Sequence, residues 1–252
     1  MITGKFSEIS DYAVRRYESL LMAFRSVYKA AISSSDFSTV KSFARVKKEA
    51  YVLARNFLDT ERDFIKSETD KIALEAHTSV YLDLSVNLSK DLTESTVDHL
   101  IDLEDYLITE LTIQIERDIA TLVKSLRQVA YQIQISSFAK NTTFKKSLME
   151  FRMGDVKELE FSFYDRAAAK WSSKKYVRSL WRQHLLSAYN ETYMMDLADH
   201  GVSVVQIEHT NSSSRFHGMK ISLISGSAYP MYEEIKSEIF HPNSDAIVKV
   251  IK

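Results

Sequence analysis

Between Lys5 and Met153 the chain contains neither glycine nor proline. These two residues let a backbone turn sharply or stop a helix. A stretch without them can hold long helices joined by Ser, Thr, Asn and Asp, but few tight turns. The punctuation then arrives together, at Gly154, Gly201, Gly218, Gly226, Pro230 and Pro242. The sequence therefore divides into an elongated, mainly helical front, 1–150, and a turn-rich back, 151–252, with the boundary between about 140 and 160. The expected class is α+β: a helical region followed by one long helix packed on a short mixed β-sheet.

At 252 residues, 45% hydrophobic and 27% charged, the chain can bury a real core. A formal net charge of -1 gives no global attraction to nucleic acid or membrane, so electrostatic recognition must be local. The absence of cysteine excludes disulfides and thiolate zinc sites and fits an intracellular folding environment. The opening residues lack the apolar core of a signal peptide. No run of about 18 apolar residues exists to span a bilayer, so a soluble chain with no membrane partner is expected.

Apolar residues recur at helical spacing from Phe6 to Ile32. Ser33 to Asp36 then offer N-cap oxygens for a second helix through Val40, Val46, Phe57 and Ile65. At Val80, Leu82, Leu84, Val86 and Leu88 the period changes to two, which predicts a strand or extended arm at 79–90 as readily as a helix. The clearest helix follows. Leu100, Leu103, Leu107, Leu111, Ile115, Ile119, Leu122, Leu126, Val129 and Ile133 form one stripe. Its spacing averages about 3.67 residues per turn, near the relaxed helix, and core packing is its ordinary meaning. A short helix through Phe144, Leu148 and Phe151 precedes the turn at Gly154, and Leu159, Phe161 and Phe163 alternate as in a strand.

In the back region a helix is expected from about Ser173 to His200, capped by Gly201. Strands are expected at 202–207, 219–223 and 246–251. The helix carries Lys174, Lys175, Arg178 and Arg182 in its N-terminal half. Cations there oppose the macrodipole by about 0.3–1 kcal/mol each when exposed, and like charges four apart add to the cost. Either Asp155, Glu158, Glu160 or Asp165 neutralises this stripe within the fold, or a partner does.

Five histidines lie in the back: His184, His200, His209, His217 and His241. None has the spacing of a helical metal pair, though His200, His209 and Asp196 could converge in space. There is no GxSxG, no Gly-rich phosphate loop, and no acid pair that stands out for general acid/base work. No cofactor or metal is expected.

The order of features from Asp165 onward is more specific. Asp165-Arg166, Lys170-Trp171-Ser, Lys175-Tyr176-Val, Arg182 and Ala188-Tyr189-Asn190-Glu191 resemble the opening of the Mu F-like minor head protein domain of tailed bacteriophages. Asp199-His-Gly-Val-Ser-Val-Val-Gln-Ile looks like that family's helix end and first strand, and His209 follows. Gly218-Met-Lys220-Ile-Ser-Leu is similar to its GKxxSL hairpin, and Tyr229-Pro230 with Phe240-His241-Pro242-Asn243 to its closure. The resemblance covers roughly 155–252. Many members carry cysteines that suggest a metal clip. Here Thr210, Ser213 and Ser244 stand in those places and Ala246 replaces a closing His, so packing of Val205, Ile207, Ile221, Leu223, Tyr229, Phe240 and Ile247 must hold the small domain.

The resemblance implies a non-enzymatic virion component at the portal or capsid interior, present in the host cytoplasm during assembly. Its implied partners are the phage portal protein and a major capsid or scaffolding protein. Lys174, Lys175, Arg178 and Arg182 are then candidate contacts to such a partner or to packaged double-stranded DNA. The alternative is an enzyme, such as a nuclease or toxin-like module, using His209, His217 or His241. The chain ends soon after the family's closing motif, which argues against an appended toxin domain.

Overall fold

The computed structural model describes residues 2–34, 36–86, 91–154, 158–210, 213–241 and 244–251. Among them the elements run α1 (Ile2–Ser33), α2 (Val40–Leu84), α3 (Glu94–Ala139), α4 (Phe144–Met153), β1 (Ser162–Tyr164), β2 (Lys170–Ser172), α5 (Ser173–Asp199), β3 (Val204–Glu208), β4 (Lys220–Ser222), α6 (Tyr232–Ile239) and β5 (Ile247–Val250). This is an α+β protein with a long helical N-terminal region and small sheets toward the C-terminus. Two compact units form. The first takes Met1–Ala13, Glu61–Glu110 and Arg178–Lys252; the second takes Val14–Thr60 and Leu111–Val177.

The front, which has no glycine after Gly4, solves its helix ends with other residues. Ser85 and Asn141 adopt positive φ, 56° and 48°. The Val86 amide returns to the Tyr81 carbonyl at 3.2 Å, and the Thr142 amide to Ser137 at 2.9 Å. Both are six-residue helix closures in which a left-handed residue normally supplied by glycine is provided by Ser or Asn. Helix starts are capped by threonine. Thr39 Oγ1 accepts from the Ser42 amide at 3.0 Å, so Thr39 rather than the 33–36 segment caps α2. Asp36 instead pairs with Arg45 at 3.0 Å. Thr93 and Thr143 cap α3 and α4 in the same way.

The strand or arm expected at 79–90 is not formed where the chain is described: α2 continues through Leu84, and 87–90 lie outside the described residues. The reason is the stripe Ile65, Thr69, Ile72, Ala76 and Val80, all buried, which keeps one helical face covered. Leu82, whose period-two neighbours suggested a strand, is 76% exposed. Each further helical residue adds a hydrogen bond to a helix already nucleated.

In the second unit the buried α3 stripe from Leu111 to Ile133 is complete, as its spacing requires. Tyr17, Leu21 and Phe24 of α1 and Val46, Ala50 and Ala54 of α2 are buried in the same unit. Strands β1 and β2 make an antiparallel hairpin with Phe163 opposite Trp171.

The first unit holds the sheet, in the order β4-β3-β5. Its strand pairs are antiparallel, and an isolated parallel bridge joins Ser222 to Met231. Val205 and Ile207 alternate inward on β3, facing Ile221 and Val248, and all four are fully buried. Three expected core positions are corrected, Leu223 being only half-buried. Tyr229 is 40% exposed, and on β5 Val248 rather than Ile247 is the fully buried residue, because β3 pairing sets the inward register there.

Candidate interaction site

Lys174 and Arg178 of the basic stripe on α5 find carboxylates on α1. In the second unit Lys174 pairs with Glu18 at 2.8 Å, and this contact lowers the Glu18 carboxyl below its ordinary range. In the first unit Arg178 pairs with Asp11 at 2.7 Å, and Arg182 reaches the Ser7 hydroxyl at 3.5 Å. Lys175 lies 4.9 Å from the centre of the Trp171 ring. Of the acids expected to neutralise the stripe, Glu160 sits 3.4 Å from Lys170 and Asp155 lies outside the described residues.

Asp165 is occupied elsewhere. One carboxylate oxygen accepts from the amides of Ala167 and Ala169, both at 2.9 Å, and the other from Trp171 Nε1 at 2.9 Å. The Ala169 amide and the indole hold this carboxyl below its usual range. Asp165 therefore builds the hairpin turn in which Arg166 is exposed and Ala168 takes φ 59°. Tyr176 rests edge-on against Phe163 at 5.2 Å.

In the first unit Asn190 does what a strand would do. Its Oδ1 accepts from the Val248 amide at 2.9 Å, and its Nδ2 donates to the Ala246 carbonyl at 3.2 Å. Tyr189 stacks on Tyr193, whose hydroxyl donates to Asp83 at 2.7 Å and accepts from the Val250 amide at 3.3 Å. Gly201 has φ 78°, and the Val202 amide returns to Leu197 at 3.0 Å, the helix closure expected of it. Gly218 also has φ 78°; its amide donates to Ile207 at 2.8 Å just before β4. Lys220 lies 5.8 Å from the Tyr229 ring centre, and the Pro230 carbonyl accepts from Ser222 at 2.9 Å. Pro242 and Asn243 lie outside the described residues.

The histidines do not converge as weighed. Asp196 pairs with His77 at 2.6 Å, while His200 Nδ1 bonds the Asp196 backbone carbonyl. His209 Nδ1 pairs with Asp245 at 2.6 Å, and its buried Nε2 has no hydrogen-bond partner among the described residues. The Asp245 carboxyl is raised by burial, but bonds from Thr210 and His209 outweigh this and lower it. His217 Nδ1 accepts from the His209 amide at 3.1 Å, and His241 is exposed. His184 is buried, its pKa lowered to about 4 by desolvation, with Thr69 Oγ1 at 2.7 Å from Nε2. Among the described residues no three His, Asp or Glu side chains gather as metal ligands.

Two polar clusters escaped sequence reasoning. In the second unit Asp118 accepts from Tyr17 at 2.6 Å, Ser173 at 2.7 Å and Gln114 at 3.1 Å, all buried. Burial pushes its carboxyl up to about 6 against those bonds. In the first unit Glu191 accepts from His99 at 2.5 Å and Tyr232 at 2.8 Å. Burial opposes that charge, yet the two bonds prevail and lower the Glu191 pKa, while the bond to Glu191 raises His99. This cluster edges a pocket of about 260 Å³ that Met194, Met195 and Met231 also line. No helix among the described residues is long and apolar enough to cross a membrane.

No protein-family model, curated protein or solved structure matches this chain.

Proposed function

We propose that the chain is a structural minor head protein of a tailed bacteriophage, lying at the portal or capsid interior and assisting head morphogenesis and DNA packaging or delivery. The observation that carries this reading is the path of α5 into the β4-β3-β5 sheet, with a structural task at each motif position described along it. Asn190 clips β5, Gly201 closes the helix, Gly218 turns the chain into β4, and Lys220 covers Tyr229. Asn190, Gly201, Gly218 and Lys220 lie in the first unit and each holds a bond, a turn or a ring contact there, which favours common descent over chance spacing, while the opening motif residues Asp165, Trp171 and Tyr176 belong to the second unit. The proposed partners are the portal protein and the major capsid or scaffolding protein, met in the host cytoplasm during assembly.

The test begins with the gene's neighbours and ends with mass spectrometry of purified virions, using cross-linking to identify contacts. Portal and terminase genes upstream and cross-links to portal or capsid subunits are expected. Absence of the chain from particles overturns the reading. The His209–Asp245 pair is the one observation that favours an enzyme instead, because a carboxylate on Nδ1 orients an imidazole as a base. Its Nε2 is buried, with Phe216 stacked at 6.5 Å, which closes that nitrogen to substrate. Nuclease activity abolished by His209→Ala or His241→Ala would establish this rival.

A further inference from the structure

In the second unit a cavity of about 430 Å³ opens between α1, the β1-β2 hairpin and the first turn of α5. Arg25, Lys170, Lys174 and Lys175 line it, with Glu160 as the single carboxylate among the lining residues. We infer that this cavity is a binding site for phosphate groups. It shares only Lys174 and Lys175 with the basic stripe on α5.

The cations suit that ligand by type and placement. Arg25 Nε donates to the Leu159 carbonyl at 3.1 Å, and its guanidinium lies 5.5 Å from the Phe161 ring centre. Those contacts fix the plane of the fork and leave its terminal nitrogens as the donors a phosphate takes two at a time. Lys170 and Lys175 add point charges, and the Ser162 and Ser172 side chains supply hydroxyls at the wall. Two ion pairs compete, Lys174 with Glu18 at 2.8 Å and Lys170 with Glu160, and both are exposed and weak. Lys170 and Glu160 are 3.4 Å apart with side chains 53% and 80% exposed, where water and salt screen most of the attraction. Lys174 and Lys175 also stand in the first turn of a 27-residue helix, where their charge opposes the helix dipole. An anion seated between them turns that unfavourable placement into a favourable one.

Phosphate could come from a nucleic-acid strand or from a free phosphorylated molecule, and two probes separate these. The full chain is titrated with a short labelled DNA duplex by anisotropy, and with inorganic pyrophosphate by calorimetry. If the site takes backbone phosphates, three contacts weaken DNA binding about 40-fold between about 50 and about 200 mM salt. The variant R25Q/K170Q/K175Q then loses about ten-fold or more at the lower salt and flattens that dependence. If pyrophosphate binds and DNA does not, and the same variant abolishes it, the site stands with a free ligand as its occupant. Binding of neither probe overturns the inference. So does a variant that keeps both affinities within two-fold, or loss in R178Q/R182Q alone. Circular dichroism melting checks the fold, and single K170Q, expected to weaken binding two- to three-fold, serves should the triple variant not fold. The inference stands apart from the virion reading, since a packaged chain can lack this binding and an unpackaged one can show it.

Discussion

Each unit buries a carboxylate and each closes a long helix with a left-handed residue, but with different chemistry. In the second unit Asp118 is surrounded by neutral donors, and Asn141 ends α3. In the first, Glu191 faces a histidine, and Gly201 ends α5. The outcomes diverge accordingly. Neutral hydrogen bonds do not offset the loss of water around Asp118, so its pKa rises, whereas a partner that can carry charge lets Glu191 stay ionised. A histidine partner does not decide the outcome alone, since the more deeply buried Asp196 side chain, paired with His77, still has a raised pKa because desolvation outweighs that contact.

The sharpest way to break this comparison is Asp118→Ala. It leaves the Tyr17 and Ser173 hydroxyls buried without their acceptor, and a loss of about 3–5 kcal/mol is expected in urea unfolding at acid pH, where the carboxyl is neutral and no charge penalty offsets it. Asp118→Asn keeps an acceptor and costs much less.

The charge itself gives the next effect. The Asp118 carboxyl is raised from 3.8 to about 6 in the fold, so the folded state holds its proton more tightly than the unfolded chain does. Its contribution is therefore without penalty below pH 3.8, worsens as pH rises through that interval, and is fully unfavourable above about 6. The expected cost is about 3 kcal/mol, seen as a fall in unfolding free energy from acid toward neutral pH that Asp118→Asn flattens. A slope unchanged by that substitution would assign it to other groups.

Helix closures come third, with opposite signs. Gly201→Ala meets no atom within 4 Å, so its cost is purely conformational, about 1–2 kcal/mol of melting stability. Asn141→Gly relieves a positive φ and should gain a few tenths of a kcal/mol, about 0.5 at most. A loss at Asn141 would mean that its side chain contributes more than its backbone angle.

The smallest effect belongs to His99 and Glu191, whose side chains are 33% and 13% exposed. His99 has a raised pKa, so its contribution is complete below its unfolded value and disappears as pH rises through the folded one. Glu191 has a lowered pKa, so its share is present above its unfolded value and lost as pH falls through the folded one. Stability from this pair is complete between the unfolded pKa values of Glu191 and His99 and is lost outward through the folded ones, and His99→Gln should remove the alkaline loss from thermal melts at pH 6–9.

Much of the helical layout was legible because apolar spacing and burial obey the same periodicity. The Leu111–Ile133 part of the α3 stripe is buried as predicted, and α5 ends where Gly201 stands. What failed did so for identifiable reasons. The alternation at 80–84 is real, but helix propagation from the covered face below Val80 overrides it. The α2 core was under-read because its buried face uses Ala50, Ala54, Ala73 and Ala76, small residues that carry little hydropathy signal. The acids nearest the basic stripe in sequence are the expected partners, whereas Asp11 and Glu18 lie more than 150 residues away. The Asp118 cluster left one readable trace: a charged residue between Ile115 and Leu122, inside the apolar arc of α3. Gln114 lies one turn earlier on α3, but the other two partners could not be read, since Tyr17 comes from α1 and Ser173 from the start of α5.

The pairing of β3 with β5 places Glu208 directly across from Ile247. With Asn190 gripping the chain at Ala246 and Val248, the whole excursion from 209 to 246 leaves and rejoins the fold at nearly one point. Lengthening a flexible loop closed in this way costs only about 0.6 kcal/mol per doubling. Evolution can therefore lengthen an exposed turn within that excursion, such as 224–226, while β4 with its buried Ile221 and the Tyr232–Glu191 bond stay as they are.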